Sequence, residues 1–248
     1  MHILVKYASR SRPARFFEGL HNIIDMAADK GNITIAPALD VDDYTMFSAG
    51  DFLPEIKAEL EKVRSKIHYP HLQISIGRSK SKIDAINRET IVDDWDILVN
   101  FSDDMRFTVY GWDELIREGF RCNGPDKFLH FPDSTARNML CTMTIIDRKY
   151  YDRDGYIYHP SYKSLWCDNE AQEAAKLRGC YVYMGTQIFD HYHPAYGLAD
   201  WDEQYRRQQA LWAEDELNYI YRKSKNFLLD QYGNQLSEAA FNSNTNDA

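Results

Sequence analysis

Asp96-Ile97-Leu98-Val99-Asn100-Phe101-Ser102-Asp103-Asp104 sets an apolar run fit for a buried strand directly against two adjacent carboxylates. An aspartate pair at the end of a strand in an α/β protein stands where ligands bind, in the crevice beyond the strand's carboxyl end. Two hard oxygen ligands there suit Mg²⁺ or Mn²⁺ carrying a diphosphate, because such ions favour carboxylates together with phosphate oxygens. Ser-Asp-Asp also serves as a turn or a helix cap, so the meaning of the run depends on its surroundings.

Toward the N-terminus, residues 2–8 read as a strand and Ser9-Arg10-Ser11-Arg12-Pro13 as a basic turn. Pro13 is placed to open a helix that runs to about Asp29, where Gly31-Asn32 stop it. Residues 33–39 form a second strand, followed by Asp40, Asp42 and Asp43. Residues 51–66 carry Phe52, Ile56, Leu60 and Val63 on one helical stripe. Residues 72–76 are a third strand ending at Gly77, a helix follows from about Ser81 to Thr90, and residues 95–101 are the fourth strand. The alternation predicts an α/β fold with a mostly parallel central sheet flanked by helices.

Beyond residue 110 the pattern loosens. Residues 128–131 and 140–146 read as strands of a more mixed half, and 150–162 as a loop rich in Tyr, Gly and Asp. A short helix over 169–178 and a strand over 181–184 follow. Residues 202–229 read as one long helix. The expected organisation is a domain over 1–200, a C-terminal helical extension over 201–232, and a polar tail over 233–248 that is expected to be disordered.

The 248 residues carry 29 Lys and Arg against 38 Asp and Glu, a formal charge of −9. Such a chain does not hold polyanions by bulk electrostatics, which disfavours a nucleic-acid partner. Hydrophobic residues at 44% allow a sizeable core, and the 17 Tyr and 5 Trp suit a stacking-rich cleft for sugars or bases as well as half-buried surfaces. Cys122, Cys141, Cys167 and Cys180 form no Cys-x-x-Cys pair and no zinc spacing, and are expected to be reduced thiols of a cytoplasmic protein. No apolar run is long enough to span a bilayer, and the chain opens directly into Ile3-Leu4-Val5, so neither a transmembrane segment nor a signal peptide is expected.

Three further clusters could carry chemistry. Ser9, Arg10 and Arg12 put a hydroxyl and cations at a strand's carboxyl end, before a helix N-terminus that itself attracts anions. Asp40 ends the second strand, where a carboxylate can accept from a base or ribose, while Asp43 is better read as a cap. Gly77-Arg78-Ser79-Lys80-Ser81-Lys82-Ile83-Asp84-Ala85-Ile86-Asn87-Arg88 gathers a tight turn, cations and hydroxyls ahead of a helix, the usual environment of a phosphate. Its spacing is not that of a Walker P-loop.

The order of these parts resembles the GT-A glycosyltransferases, in particular those of family 2. The resemblance runs over roughly residues 2–195: strand-Ser-Arg-x-Arg-Pro, strand-Asp-x-Asp-Asp, Gly-x-Ser-x-Ser-Lys-Ile-x-Ala-Ile-Asn-Arg, then strand-Ser-Asp-Asp. It implies a Rossmann-like GT-A sheet and transfer of a sugar from a nucleotide-diphosphate sugar, UDP-linked, to an acceptor hydroxyl. It further implies that Ser9, Arg10, Arg12 and Asp40 face the nucleotide and that Lys82 and Asn87 lie near the donor. Asp103 would touch sugar or metal, and Asp104 would ligate Mn²⁺ or Mg²⁺ as part of the DXD motif. The catalytic base is expected in Trp166-Cys167-Asp168-Asn169-Glu170, with Asp168 first and Glu170 second; an N-cap is the structural reading of the same Asp. His191 or His193 would complete the metal site, because imidazole joins carboxylates around Mn²⁺, with the other histidine structural or acceptor-facing. A single base implies direct displacement and inversion.

Trp112, Trp166 and the 150–162 loop are candidates for stacking against the acceptor, a glycan or, less favoured by charge, a DNA base. Two other function classes compete. A nucleotidyltransferase shares the sheet and the acidic metal site, but residues 8–16 lack its Gly-rich loop with lysine. A non-catalytic sugar- or nucleotide-binding protein of the same fold would not need Asp103, Asp104 and Asp168.

Overall fold

A computed structural model describes residues 1–67, 71–89, 92 and 94–238. In chain order the first half contains β1 (Ile3–Ala8), α1 (Pro13–Asp25), β2 (Ile33–Asp40), the short hairpin β3 (Phe47–Ser48) and β4 (Asp51–Phe52), α2 (Pro54–Lys66), β5 (Ser75–Gly77), α3 (Lys82–Asn87) and β6 (Ile97–Ser102). The second half contains β7 (Met105–Phe107), α4 (Trp112–Asn123), β8 (Phe128–His130), β9 (Ile145–Asp147), α5 (Arg148–Asp154), α6 (Cys167–Leu177), β10 (Tyr181–Tyr183), β11 (Phe189–His191), α7 (Glu203–Gln209) and α8 (Trp212–Ser224).

Seven strands form one sheet in the order β10-β8-β9-β6-β1-β2-β5. β5, β2, β1 and β6 run parallel, β9 runs antiparallel to both β6 and β8, and β10 is parallel to β8. The sheet is therefore mostly parallel, and its central strands are apolar on both faces, as helices on either side require. Ile3, Val5 and Tyr7 face the layer of α1, α2 and α4, packing with Phe16, Leu20, Ile56 and Trp112. Leu4, Ala36 and Leu98 face α3 and α6, packing with Ile83, Ile86 and Ala175. Alternate residues along each strand thus serve two cores.

The register fixes the site. Ala8 lies beside Ala38 on one side and Ser102 on the other. The carboxyl ends of β1, β2 and β6 are therefore level, and Ser9, Asp40 and Asp103 emerge from one sheet edge.

Several boundaries differ from the sequence reading for identifiable reasons. α1 stops at Asp25 rather than near Asp29, because the Asp113 carboxylate accepts from the backbone N–H of Ala28 (2.8 Å) and Asp29 (3.0 Å) and turns the chain. α4 was not anticipated, although Trp112, Ile116 and Phe120 bury one face at four-residue spacing between Gly111 and Gly124. The expected strand over 140–146 shrinks to β9, and the first part of the expected 150–162 loop is α5, capped by Asp147 accepting from Tyr150 N–H at 2.8 Å. The expected end of the α3 helix at Thr90 lies outside the described residues. The long helix over 202–229 is two helices, α7 and α8, followed by a turn in which Asn226, Phe227 and Leu228 take left-handed backbone angles. Residues 233–238, inside the segment expected to be disordered, fold back: Leu236 N–H donates to Leu228 O at 2.8 Å and Gln235 bridges Leu229. Residues 239–248, the rest of that segment, lie outside the described residues. Among the described residues, all four cysteines are free thiols, and no helix is long and apolar enough to cross a membrane.

Candidate active site

A cleft of about 340 Å³ opens at the level ends of β1, β2 and β6. Ser9, Arg10, Arg12, Asp40, Lys82, Asp103 and Asp104 line it, with α7 supplying Gln204, Arg207 and Gln208 as the opposite wall. A second lobe of about 330 Å³ holds Asp168, Trp166, His191, His193 and Tyr196. Both lobes are lined by Lys82, Asp104 and Ser164, so they meet at a cation beside a carboxylate.

The basic turn after β1 does two jobs. Arg10 pairs with Asp40 and Asp42, each at 2.9 Å. Asp40 also accepts from Ser79 N–H (2.9 Å) and Arg88 (2.5 Å), so this carboxylate ties the β2 end to the loop before α3. Arg12 is buried between two acids: it pairs with Asp103 at 2.9 Å and makes a two-pronged bond to Asp202 at 2.7 and 2.8 Å. Its guanidinium also lies 3.9 Å from the centre of the Tyr205 ring.

The two strand-end acids have different environments. Asp103 accepts from Ser9 Oγ (2.8 Å) and from Arg12. Burial and the neighbouring Asp104 raise its proton affinity, against the pull of Arg12 and Ser9. Asp104 accepts from the Tyr205 hydroxyl at 3.0 Å on Oδ2, while its Oδ1 is buried without a partner. Burial works against its charge, but His191, 3.4 Å away, together with Lys82 and Ser102 outweighs burial and holds the carboxyl well below the usual range. The small β7–β11 sheet makes this contact, since it sets His191 opposite Met105, the residue after Asp104. On its other side His191 Nδ1 lies 3.5 Å from Asp133, an ion pair too long for a good hydrogen bond. Burial opposes the imidazolium, yet Asp104 and Asp133 together push His191 up to about 9.

His191 therefore carries stabilising ion pairs that are fully present below its unfolded value of about 6.5 and are lost as pH rises through about 9. The melting temperature of the wild type should decline across that window. His191→Asn should flatten the decline; an unchanged pH profile in the variant would remove His191 as its source.

Asp168 is half-buried in the first turn of α6. Burial raises its carboxyl, against a bond from Asn169 N–H (2.9 Å) and the charge of Lys82. It is not the N-cap; Trp166 holds that position, with a left-handed φ of 63°. Glu170, the second candidate for the base, is turned away from both lobes. It accepts from Tyr162 Oη and twice from Arg222, all at 2.7 Å, and is buried. Residue 170 lies two positions past 168 on a helix, so the two side chains cannot share a face.

Asn87 is likewise drawn off: its amide holds the backbone of Ile157 and Tyr158 and lines neither lobe. Trp112 is a core residue stacked on Phe107 at 4.0 Å, and Tyr150 and Tyr162 are buried away from both lobes, so of the stacking candidates Trp166 and the buried Tyr158 are the ones that line the second lobe.

The expected set of both acids with one of the two histidines is not gathered. Among the described residues no group of three His, Cys, Asp or Glu side chains is arranged to hold a metal ion. Asp103 is occupied by Ser9 and Arg12, and His193 Nδ1 accepts from Ala195 N–H at 3.2 Å, its basicity lowered to about 4 by burial and by His191. Both histidines nonetheless line the same lobe, with ring centres 5.5 Å apart, across a turn after β11 in which His193 N–H donates to His191 O at 3.1 Å. Asp104, with its free Oδ1, and His191 remain as a pair. That pair fits Mg²⁺ or Mn²⁺, which take few protein ligands and complete their shell with phosphate oxygens and water.

Two residues of the site went unread in the sequence. Asp133 is fully buried and collects the N–H groups of Thr135, Ala136 and Arg137 and the hydroxyls of Thr135 and Thr142. Its signal was the Asp-Ser-Thr turn. Tyr205 reaches Asp104 from α7 and had no local signal.

No protein-family model and no curated protein matches the chain. Among solved structures, the 1–349 segment of S. aureus TarS in complex with UDP-GlcNAc superposes with a TM-score of 0.57 at 13% identity, over 97% of this chain and 69% of that one. The same TarS segment in another crystal structure gives 0.55 at 11%, over 77% and 60%. The mannosyltransferase PcManGT from Pyrobaculum calidifontis, in complex with GDP-Man and Mn²⁺, gives 0.59 at 10%, over 89% and 64%. The chain thus spans somewhat under two thirds of the length of two of these three matches. At such identities the likeness is one of fold, and the fold is GT-A-like, as the motif order implied.

Proposed function

We propose that this chain is an inverting, metal-dependent glycosyltransferase that moves a sugar from a UDP-linked donor to an acceptor hydroxyl. The observation that carries the reading is the two-lobed cleft. One lobe is rich in cations and hydroxyls at the ends of parallel strands, the other holds a half-buried carboxylate and aromatic rings, and they join at Lys82 and Asp104. A nucleotide diphosphate suits the first lobe and a hydroxyl-bearing acceptor the second. The complexes of TarS with UDP-GlcNAc and of PcManGT with GDP-Man and Mn²⁺ support the donor class.

In this reading Asp168 accepts the proton of the acceptor hydroxyl as its oxygen bonds to the anomeric carbon. The bond from that carbon to the diphosphate breaks, its electron pair stays on the phosphate oxygen, and Lys82 meets the charge that develops. When bound, Mn²⁺ or Mg²⁺ on Asp104 and His191 supplies further positive charge to the diphosphate. His191 must give up its proton to serve as a ligand. Ser9, Arg10 and Arg12 hold the nucleotide side.

Asp104→Ala should weaken Mn²⁺-dependent UDP binding by at least about tenfold, the scale on which metal sites respond to altered ligation. Calorimetry with and without Mn²⁺ measures it, and unchanged affinity with unchanged metal dependence would refute the metal role. Transfer itself is tested by NMR of the product's anomeric coupling. An α-linked donor should give a β-linked product, while an α-product would exclude single displacement.

A further inference from the structure

Buried polar groups are nearly always paired, so those that are not mark places where something else completes them. Seven buried side-chain nitrogen or oxygen atoms among the described residues lack a hydrogen-bond partner, and five belong to residues lining the second lobe: Asn100 Oδ1, Asp104 Oδ1, Ser164 Oγ, Trp166 Nε1 and His191 Nδ1. The reaction described above uses Asp104 and His191. It gives no hydrogen-bonding task to Asn100, Ser164 and Trp166.

These three are uncharged and complementary in kind: an amide oxygen that accepts, a hydroxyl that does either, and an indole N–H that only donates. Asn100 sits on β6 four residues before Asp104, with its amide nitrogen 3.4 Å from Tyr158 Oη. Ser164 lines both lobes and so stands at their junction. Trp166 is fixed: its ring stacks on Tyr219 at 5.0 Å and meets Trp212 edge-on at 5.3 Å. Its left-handed backbone, at φ 63°, is costly for a bulky residue, and such strain gathers at functional sites.

We propose that Asn100, Ser164 and Trp166 read the hydroxyls of the donor's sugar ring and so determine which sugar is accepted. The inference rests on the nucleotide-sugar reading above. With the diphosphate at the junction formed by Lys82 and Asp104, the attached ring enters the second lobe beside the acceptor, and Asp168 and all three of these residues line that lobe. A phosphate there would call for cations, and these groups carry none. A ring hydroxyl both donates and accepts, and can satisfy an amide oxygen and an indole N–H alike. A sugar lacking a hydroxyl at the matching position, or presenting it on the other face, leaves a buried group unpaired and is discriminated against.

The test measures affinities in Mn²⁺ for UDP and for UDP-glucose, UDP-galactose, UDP-GlcNAc and UDP-xylose. The wild type should separate the best and worst of the four sugars by about tenfold or more. Trp166→Phe keeps the aromatic packing and removes the N–H; Ser164→Ala removes an unpaired hydroxyl and should melt no lower than the wild type. Each should narrow the spread by roughly tenfold while UDP affinity stays constant. A spread that survives in both variants overturns the inference and leaves the donor reading standing, as does a wild type that binds UDP without discriminating among the sugars. Lowered melting of Ser164→Ala overturns the assignment of that residue. A wild type that binds neither UDP nor any of the four overturns the nucleotide-sugar reading itself.

Discussion

Asp168→Asn is expected to lower turnover by at least about 10²-fold, the scale of general-base assistance, while donor affinity holds. The amide has the shape of the carboxylate and can still accept from Asn169 N–H, so the first turn of α6 keeps its geometry. It cannot take a proton. Burial pushes the Asp168 carboxyl upward, which makes it a stronger base than an exposed aspartate, while Lys82 and His191 keep its charged form accessible. The measurement is single-turnover transfer with saturating donor, beside calorimetry of donor binding. Near-normal turnover would move the base elsewhere, and lost donor binding would assign Asp168 to the donor instead.

Glu170→Gln should cost the fold roughly 3–5 kcal/mol, the range for breaking a buried ion pair from one side. Glu170 and Arg222 are both buried, and their two-pronged bond joins α6 to α8, with Tyr162 completing the carboxylate's partners. Glutamine leaves the guanidinium buried with a neutral partner that can accept on one atom only. Denaturant titration should show the loss in the transition midpoint, while transfer per folded molecule stays near wild type, since the side chain lines neither lobe. Undiminished stability would contradict the buried pair. A stable variant without activity would restore Glu170 as a candidate for the base. The two substitutions, two residues apart, should thus fail in opposite ways.

The central strands were legible because an apolar run flanked by turn chemistry has few other outcomes. Ile97–Ser102 stopped where its composition changed, and Pro13 opened α1 as its fixed φ requires. Strand order along the chain also carried the phosphate-side cluster, since three level strand ends must bring Ser9, Asp40 and Asp103 together. What stayed hidden depends on pairing between distant segments. Nothing within 105–107 or 189–191 announces that the two align, yet that register brings His191 to Asp104. Asn87 and Glu170 had plausible neighbours in sequence, and helix rotation turned them toward other partners. The break between α7 and α8 involves no proline or glycine, so the chain reads as continuous where the structure bends.

Arg12 and Asp202 are bonded across a separation of 190 residues, and Tyr205 reaches Asp104 across 101. Synthesis runs from the N-terminal side, so every residue of the seven-stranded sheet is made before Asp202 and Tyr205. A nascent chain halted at residue 200 has every strand but lacks the side chains that close over its strand-end acids. The side chains that complete the ligand site are thus made after every strand of the sheet that carries it. α7, which follows every strand in the chain, supplies one wall of a pocket whose other wall begins at the turn after β1.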